Sequence, residues 1–226
     1  MISASDVRPQ TSDTQSIGIA GAGLLGRLLA WKLLQRGHQV TLFERGSRAA
    51  ELSAAKVAAS MLAPYSEVVS AERCVFDWGR MALAWWPQEL AALAEITGQH
   101  VDFGNKGSVV VAHKLDESSL NHFEQQLRGK VQDCDEFIER IDRRRLAELE
   151  PELAERYHGG LFLAEEAYLD NEALLISLET AISKLGGKWR EFSEVLSVDA
   201  GKIRLANEDY SFDWAIDSRG MGAKEQ

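Results

Sequence analysis

The feature that most constrains this chain is the run Gly21-Ala22-Gly23-Leu24-Leu25-Gly26, set between two segments of different periodicity. Before it, Ser16-Ile-Gly-Ile-Ala20 is a short apolar run that suits a strand. After it, Leu28, Leu29, Trp31, Leu33 and Leu34 recur at helical spacing as far as Gly37, a C-terminal stop. Gln39-Val-Thr-Leu-Phe-Glu44 then reads as a second strand, closed by an acid and by Arg45-Gly46. Each marked residue has its own physical task. Gly21 permits a tight turn, Gly23 lets backbone N–H groups approach a pyrophosphate, Gly26 lets the helix pack on the sheet, and Glu44 can accept the ribose hydroxyls. Strand, glycine turn, helix and acid-tipped strand specify a dinucleotide-binding βαβ unit from Ser16 to Arg45. An acid where an arginine would hold a 2'-phosphate speaks against NADP, and leaves NAD and FAD open.

Beyond this unit the pattern becomes mixed. Ala49 to Ala63 is rich in small residues, so backbone can approach a ligand there, and Pro64 ends any helix in it. Ala71 to Thr97 carries a long helical pattern, with a break or bend predicted near Pro87. Adjacent residues on a helix point about 100° apart, so of Trp85 and Trp86 one should face a core and one should not. Short strands are predicted at Val101–Phe103, Gly107–Val111 and Gly160–Leu163, and helices at Asp116–Arg128, Arg143–Leu149 and Glu172–Leu185. Three closing strands are predicted at Glu194–Val198, Lys202–Ala206 and Tyr210–Ile216, the first two joined by a turn at Asp199-Ala-Gly201.

Composition narrows the partners. The 226 residues are 45% hydrophobic, enough for a substantial core in one or two domains. Thirty-five acids against 25 basic residues give a formal charge of -10, which opposes binding to a polyanion; small molecules or a protein surface are favoured over nucleic acid. Cys74 and Cys134 lack zinc or redox spacing and read as reduced thiols. The five histidines show no metal-ligating spacing, and no nucleophile elbow is present, so no metal is expected. Met1 to Gln15 is polar, without the charged and apolar regions of a secretory signal, and reads as a disordered lead-in. The most apolar stretch, Met81 to Ile96, is interrupted by Pro87, Gln88 and Glu89, so no membrane span is expected and a cytoplasmic location is.

Glu44-Arg45 followed by Ala58-Ala-Ser-Met-Leu-Ala-Pro64 resembles the flavoproteins of the glycine oxidase and D-amino-acid oxidase superfamily. The resemblance moves the choice of cofactor from NAD to FAD. It implies contacts from Gly21, Ala22, Gly23, Leu24, Leu25, Gly26, Glu44 and Arg45 to the adenosine and pyrophosphate, and from Ala58, Ser60 and Met61 to the ribityl chain and isoalloxazine. Ser60 stands where the family commonly has glycine, and Ala54 and Ala55 where it often has hydroxyl residues. Leu149-Glu-Pro151, Gly159-Gly-Leu-Phe162 and Leu169-Asp170 are similar to the family's passage through its substrate domain. Val195 resembles the residue whose backbone holds the adenine side of FAD, and Arg219 and Gly220 stand in the family's small-residue turn after a late strand, where an arginine is unusual.

The implied fold class is α/β: a Rossmann-like FAD-binding domain of the glutathione-reductase type, residues 16–80 and 160–226, with an interleaved, incomplete α+β substrate domain over 81–159. The implied function is oxidation of the C–N bond of a small amine or amino acid by hydride transfer to flavin, with no catalytic side chain assigned. Two alternatives share the scaffold: a flavoprotein that modifies a protein or a tRNA base, and a non-catalytic assembly subunit completed by another chain. The resemblance runs from Ser16 to about Gly222 and covers the first two-thirds of a complete family member, which places the family's carboxylate-binding arginine and its glycine-rich terminal segment outside this sequence. Unpaired sheet edges then make association, and hence an oligomer, an expectation.

Overall fold

The computed structural model describes residues 14–131 and 134–225. These residues form two compact units, one of residues 14–59, 90–101 and 171–225, the other of residues 60–89, 102–131 and 134–170. The division expected from sequence has other bounds: it assigned 60–80 and 160–170 to the cofactor domain and 90–101 to the substrate domain. The expected lead-in lies outside the described residues except for Thr14 and Gln15, and Gln15 already accepts a hydrogen bond from the Gln39 amide.

The first unit is built on the βαβ element: β1 (Ser16–Ala20), α1 (Leu24–Gln35) and β2 (Gln39–Phe43). β1 and β2 run parallel, with Ile17 beside Val40 and Ile19 beside Leu42. All four of these side chains are buried, which is why the strands read as apolar runs rather than as alternation. Strand Trp214–Asp217 extends the parallel sheet beyond β1, and strand Lys188–Arg190 extends it beyond β2. α1 buries Ala30, Trp31 and Leu34, and helix Asn171–Lys184 buries Leu174, Leu178, Ala181 and Ile182. A three-stranded antiparallel meander, Ser197–Asp199, Lys202–Arg204 and Asp209–Ser211, completes the unit. Its Ile203, together with Val195 just before the first strand, clusters with Ala20 and Phe43, whose ring meets Tyr210 and Phe212 edge-on at 5.0 and 5.9 Å.

The last predicted strand, Tyr210–Ile216, is two strands in different sheets. At the break the Phe212 amide donates to the Gly201 carbonyl at 2.8 Å and the Asp213 amide donates to the Ser16 carbonyl at 3.0 Å. Consecutive residues thus bond to different sheets while the side-chain pattern runs on unbroken, so periodicity alone could not show the division. Strands Lys188–Arg190 and Ile138–Asp142 also escape sequence reading, because both are short and strongly charged. Pro64, expected to end a helix, instead opens the one-turn helix Pro64–Glu67, where its missing N–H costs nothing.

In the second unit, strand Gly159–Leu163 lies antiparallel between Ser108–Val111 and Ile138–Asp142. A smaller sheet sets Ala167–Leu169 between Met61–Leu62 and Phe103–Gly104. Tyr65, Phe76, Leu127, Leu161 and Leu163 form the heart of its core. Glu166 is fully buried there and accepts hydrogen bonds from the Ser66 amide, at 2.7 Å, and from the Ser108 hydroxyl. Helix Arg73–Thr97 contains Pro87 without ending at it. Trp86 is buried and Trp85 is exposed, as their helical spacing requires. Among the described residues, no helix is long and apolar enough to cross a membrane.

Candidate functional site

The glycine turn is built where the sequence puts it. Gly21 follows β1 in the left-handed region, φ +90°, and its amide donates to the Phe43 carbonyl at 2.9 Å. A Cβ here would lie 2.8 Å from the Ser218 carbonyl oxygen, so glycine is required by the backbone on both counts. A Cβ on Gly26 would come within 2.1 Å of the Gly21 carbonyl oxygen, so this glycine too is demanded by the fold. Gly23 is different. Its φ is an ordinary -70°, and an added Cβ would meet only Ser53 Oγ at 3.4 Å. Among the described residues, neither the backbone angles nor a close neighbour requires glycine at this position.

That space is a cleft of about 850 Å³, and Gly21, Gly23, Leu24 and Leu25 line it. Gly23 is the N-cap of α1, no side chain caps the helix, and no acid occupies its first turn. The first-turn N–H groups have no helical partners by construction, and the helix dipole adds partial positive charge. This is the donor set that holds a phosphate.

Glu44 stands at the end of β2 and uses both carboxylate oxygens: one accepts from the Ala22 amide at 2.9 Å, the other from the Gly46 amide at 3.1 Å. Its own main chain is fixed by Arg190 and Ser193, at 2.9 and 2.8 Å. The carboxylate therefore shapes the glycine turn before it meets any ribose, and each oxygen keeps a second lone pair for a hydroxyl. Arg45 is exposed and also lines the cleft.

The opposite wall comes from Val195 and the segment after strand Trp214–Asp217. Arg219 forms a two-pronged ion pair with Asp217, at 3.0 and 2.7 Å, and donates a further hydrogen bond to the Val195 carbonyl at 2.7 Å. The guanidinium holds the Asp217 carboxyl below the usual aspartate range, and the carboxylate raises Arg219 in turn. Arg219 thus braces this wall. Ser218 closes the site from below, its hydroxyl donating to the Ala20 and Gly21 carbonyls at 2.9 and 2.8 Å.

The cleft brings together Gly21, Gly23, Leu24, Leu25, Glu44, Arg45, Val195, Arg219 and Gly220. Ala22 and Gly26 are buried beneath its floor. Ala58 is not among the lining residues; its carbonyl, and that of Ala55, accept hydrogen bonds from the Asn171 side-chain amide. Ser60 and Met61 belong to the second unit. Ser60 adopts φ +62°, a left-handed backbone that glycine takes without strain, and its carbonyl accepts from the Leu169 amide at 3.2 Å. Met61 pairs with Tyr168 across the small sheet. Sequence reading did not single out Ser53 or Arg27. Ser53 carries a legible signal as the N-cap of helix Ala54–Val57, whereas Arg27 reaches Leu175 and Arg48, partners remote in sequence. Among the described residues there is no group of His, Cys, Asp or Glu that could hold a metal ion.

A Rhizobium etli protein, named as the thiamine biosynthesis oxidoreductase ThiO, is 35% identical over 164 residues, 73% of this chain and 45% of that protein. Glycine oxidase of Geobacillus kaustophilus is 26% identical over 184 residues, 80% of this chain and 47% of that protein. The crystal structure of a glycine oxidase from Geobacillus kaustophilus superposes with a TM-score of 0.77 at 22% identity, over 92% of this chain and 56% of that one. Iminodiacetate oxidase from Chelativorans sp. BNC1 gives 0.73 at 19%, over 92% and 56%. The chain spans about half the length of these relatives, less than the two-thirds expected from sequence. Residues 16–226 match the family described as DAO, FAD dependent oxidoreductase, and the chain belongs to that family.

Proposed function

We propose that this protein binds FAD in the cleft of its first unit and serves the oxidation of the C–N bond of a small amine or amino acid. The single observation that carries the binding half is Gly23, which lines the cleft at the start of α1 although neither its backbone angles nor a close neighbour requires glycine there. FAD over NAD is supported by family membership. The amine class is supported by the glycine oxidases among the relatives.

In this scheme the N–H groups of Gly23, Leu24 and Leu25 hold the pyrophosphate, and Glu44 accepts the ribose hydroxyls. Val195 holds the adenine side through its backbone, with Arg219 and Gly220 beside it. Ala58, Ser60 and Met61 are proposed for the flavin side, as the family resemblance implies. When bound, flavin supplies the two-electron acceptor for hydride from the carbon next to nitrogen; the protein supplies binding and orientation.

The test is to load the purified protein with excess FAD, remove the free cofactor and record the flavin absorbance, then add glycine or an N-methyl amino acid without oxygen. A yellow protein that bleaches is expected. A colourless protein overturns the FAD assignment. A yellow protein that no small amine bleaches overturns the amine assignment alone and favours a protein or a tRNA base as substrate.

A further inference from the structure

Arg27 is the most buried charged side chain near the glycine turn, with 1% of its surface exposed. It spends all three guanidinium nitrogens on backbone carbonyls from three separate segments. Nε donates to Ala22 at 2.7 Å, Nη1 to Leu175 at 2.8 Å and Nη2 to Arg48 at 2.6 Å. The guanidinium carbon also lies 5.2 Å from the centre of the Trp189 ring. Among the described residues, no carboxylate lies within ion-pair distance of it. Glu179 and Glu44 act on it only at longer range, and burial dominates its environment, lowering its pKa from the ordinary arginine value.

A buried cation without a paired anion is costly, and apolar residues of similar volume usually serve stability at least as well. Arginine stays charged throughout the accessible pH range, so the cost cannot be avoided by losing a proton. What the charge does is visible in the turn. Both backbone groups of Ala22 are held, its N–H by Glu44 and its carbonyl by Arg27, so the two successive peptide units of the turn are fixed. Ala22 lies between Gly21 and Gly23, both of which line the cleft. The guanidinium therefore stands immediately behind the part of the turn that faces the cleft, where a pyrophosphate held there would bring negative charge.

We propose that Arg27 is a positioning residue of the dinucleotide site: it turns the Ala22 carbonyl away from the cleft and supplies, through the turn, the counter-charge to the phosphates. This rests on the dinucleotide assignment above. An arginine that merely held three segments together would affect all ligands of the cleft alike, whereas a counter-charge discriminates between charged and uncharged ones.

The experiment measures the affinity of the full chain for FAD, ADP and adenosine in wild type, Arg27→Met and Arg27→Lys, with circular dichroism to follow folding. R27M is expected to weaken FAD and ADP about tenfold while adenosine changes less than about twofold, and added salt should narrow the difference. R27K keeps the charge but loses the fork, and is expected to recover most of the ADP affinity. Should R27M not fold, R27K against wild type carries the test: retained ADP affinity supports the counter-charge, and equal loss for ADP and adenosine overturns it. Equal loss for all three ligands in a folded R27M overturns it as well. A wild type that binds neither FAD nor ADP overturns the dinucleotide assignment itself, a result distinct from wild-type binding with no dependence on residue 27.

Discussion

Glu44 accepts a hydrogen bond from the amide of Ala22 at 2.9 Å, so the acid at the tip of β2 holds the glycine turn that follows β1. The same carboxylate takes the Gly46 amide with its other oxygen. In Glu44→Gln one of these two amides must face an NH2 group. We expect dinucleotide affinity to fall about tenfold and the loss to exceed that of an outer-rim change such as R45A. Titration of both variants with FAD, followed by flavin fluorescence, checks this; equal effects at the two positions would refute it.

Gly23 and Gly26 should part company when each is replaced by alanine. G26A places Cβ against the Gly21 carbonyl and should cost about 2–4 kcal/mol of stability. G23A finds ordinary space and ordinary backbone angles, so its melting temperature should stay within a few degrees of wild type while FAD binding is lost. Thermal melts with and without FAD give both readouts; a destabilised G23A would show that the glycine is structural after all.

The ion pair of Asp217 with Arg219 makes a prediction in pH. Arg219 lowers the folded-state pKa of Asp217 relative to the unfolded chain. A depressed carboxyl pKa contributes stability that is present above the unfolded value, about 3.9, and is lost as pH falls through the folded value. Wild type should therefore exceed Asp217→Asn by a constant margin from pH 5 to 8, about 0.5–1 kcal/mol for a partly exposed pair, and the margin should shrink below about pH 4. Urea titrations across that range would show it, and a margin that instead grows towards acid would contradict the pairing.

Ser60 holds a left-handed backbone that glycine adopts without strain. S60G should fold with stability equal to wild type or higher by up to about 1 kcal/mol, whereas S60V, β-branched, should lose about 1–2 kcal/mol. Chemical denaturation of the two variants side by side distinguishes strain at this position from a requirement for the hydroxyl, under which both would lose stability.

The division between what was legible and what was not follows the range of the interactions. The βαβ unit could be read from residues because turn, helix and strand signals are local, and because Gly21, Gly26 and Glu44 act on backbone a few positions away or on the adjoining strand. The antiparallel second unit was legible only in pieces. Its strands are short, Ile138–Asp142 is rich in charge, and a long-range partner rather than an intrinsic pattern makes such a segment a strand.

The glycine turn and the acid-tipped strand that follows it are written locally in the residues, since sterics and backbone donors decide such a turn within a few positions. Long-range contacts carry the segment after Ser211 to the parallel sheet, set Arg219 against Val195 and turn Arg27 inward to three carbonyls. Arg27 has the sequence appearance of a solvated helix residue. Its burial arises from Leu175 and Arg48, which the fold brings against α1, and a charge so placed is stable only where backbone carbonyls converge to meet it.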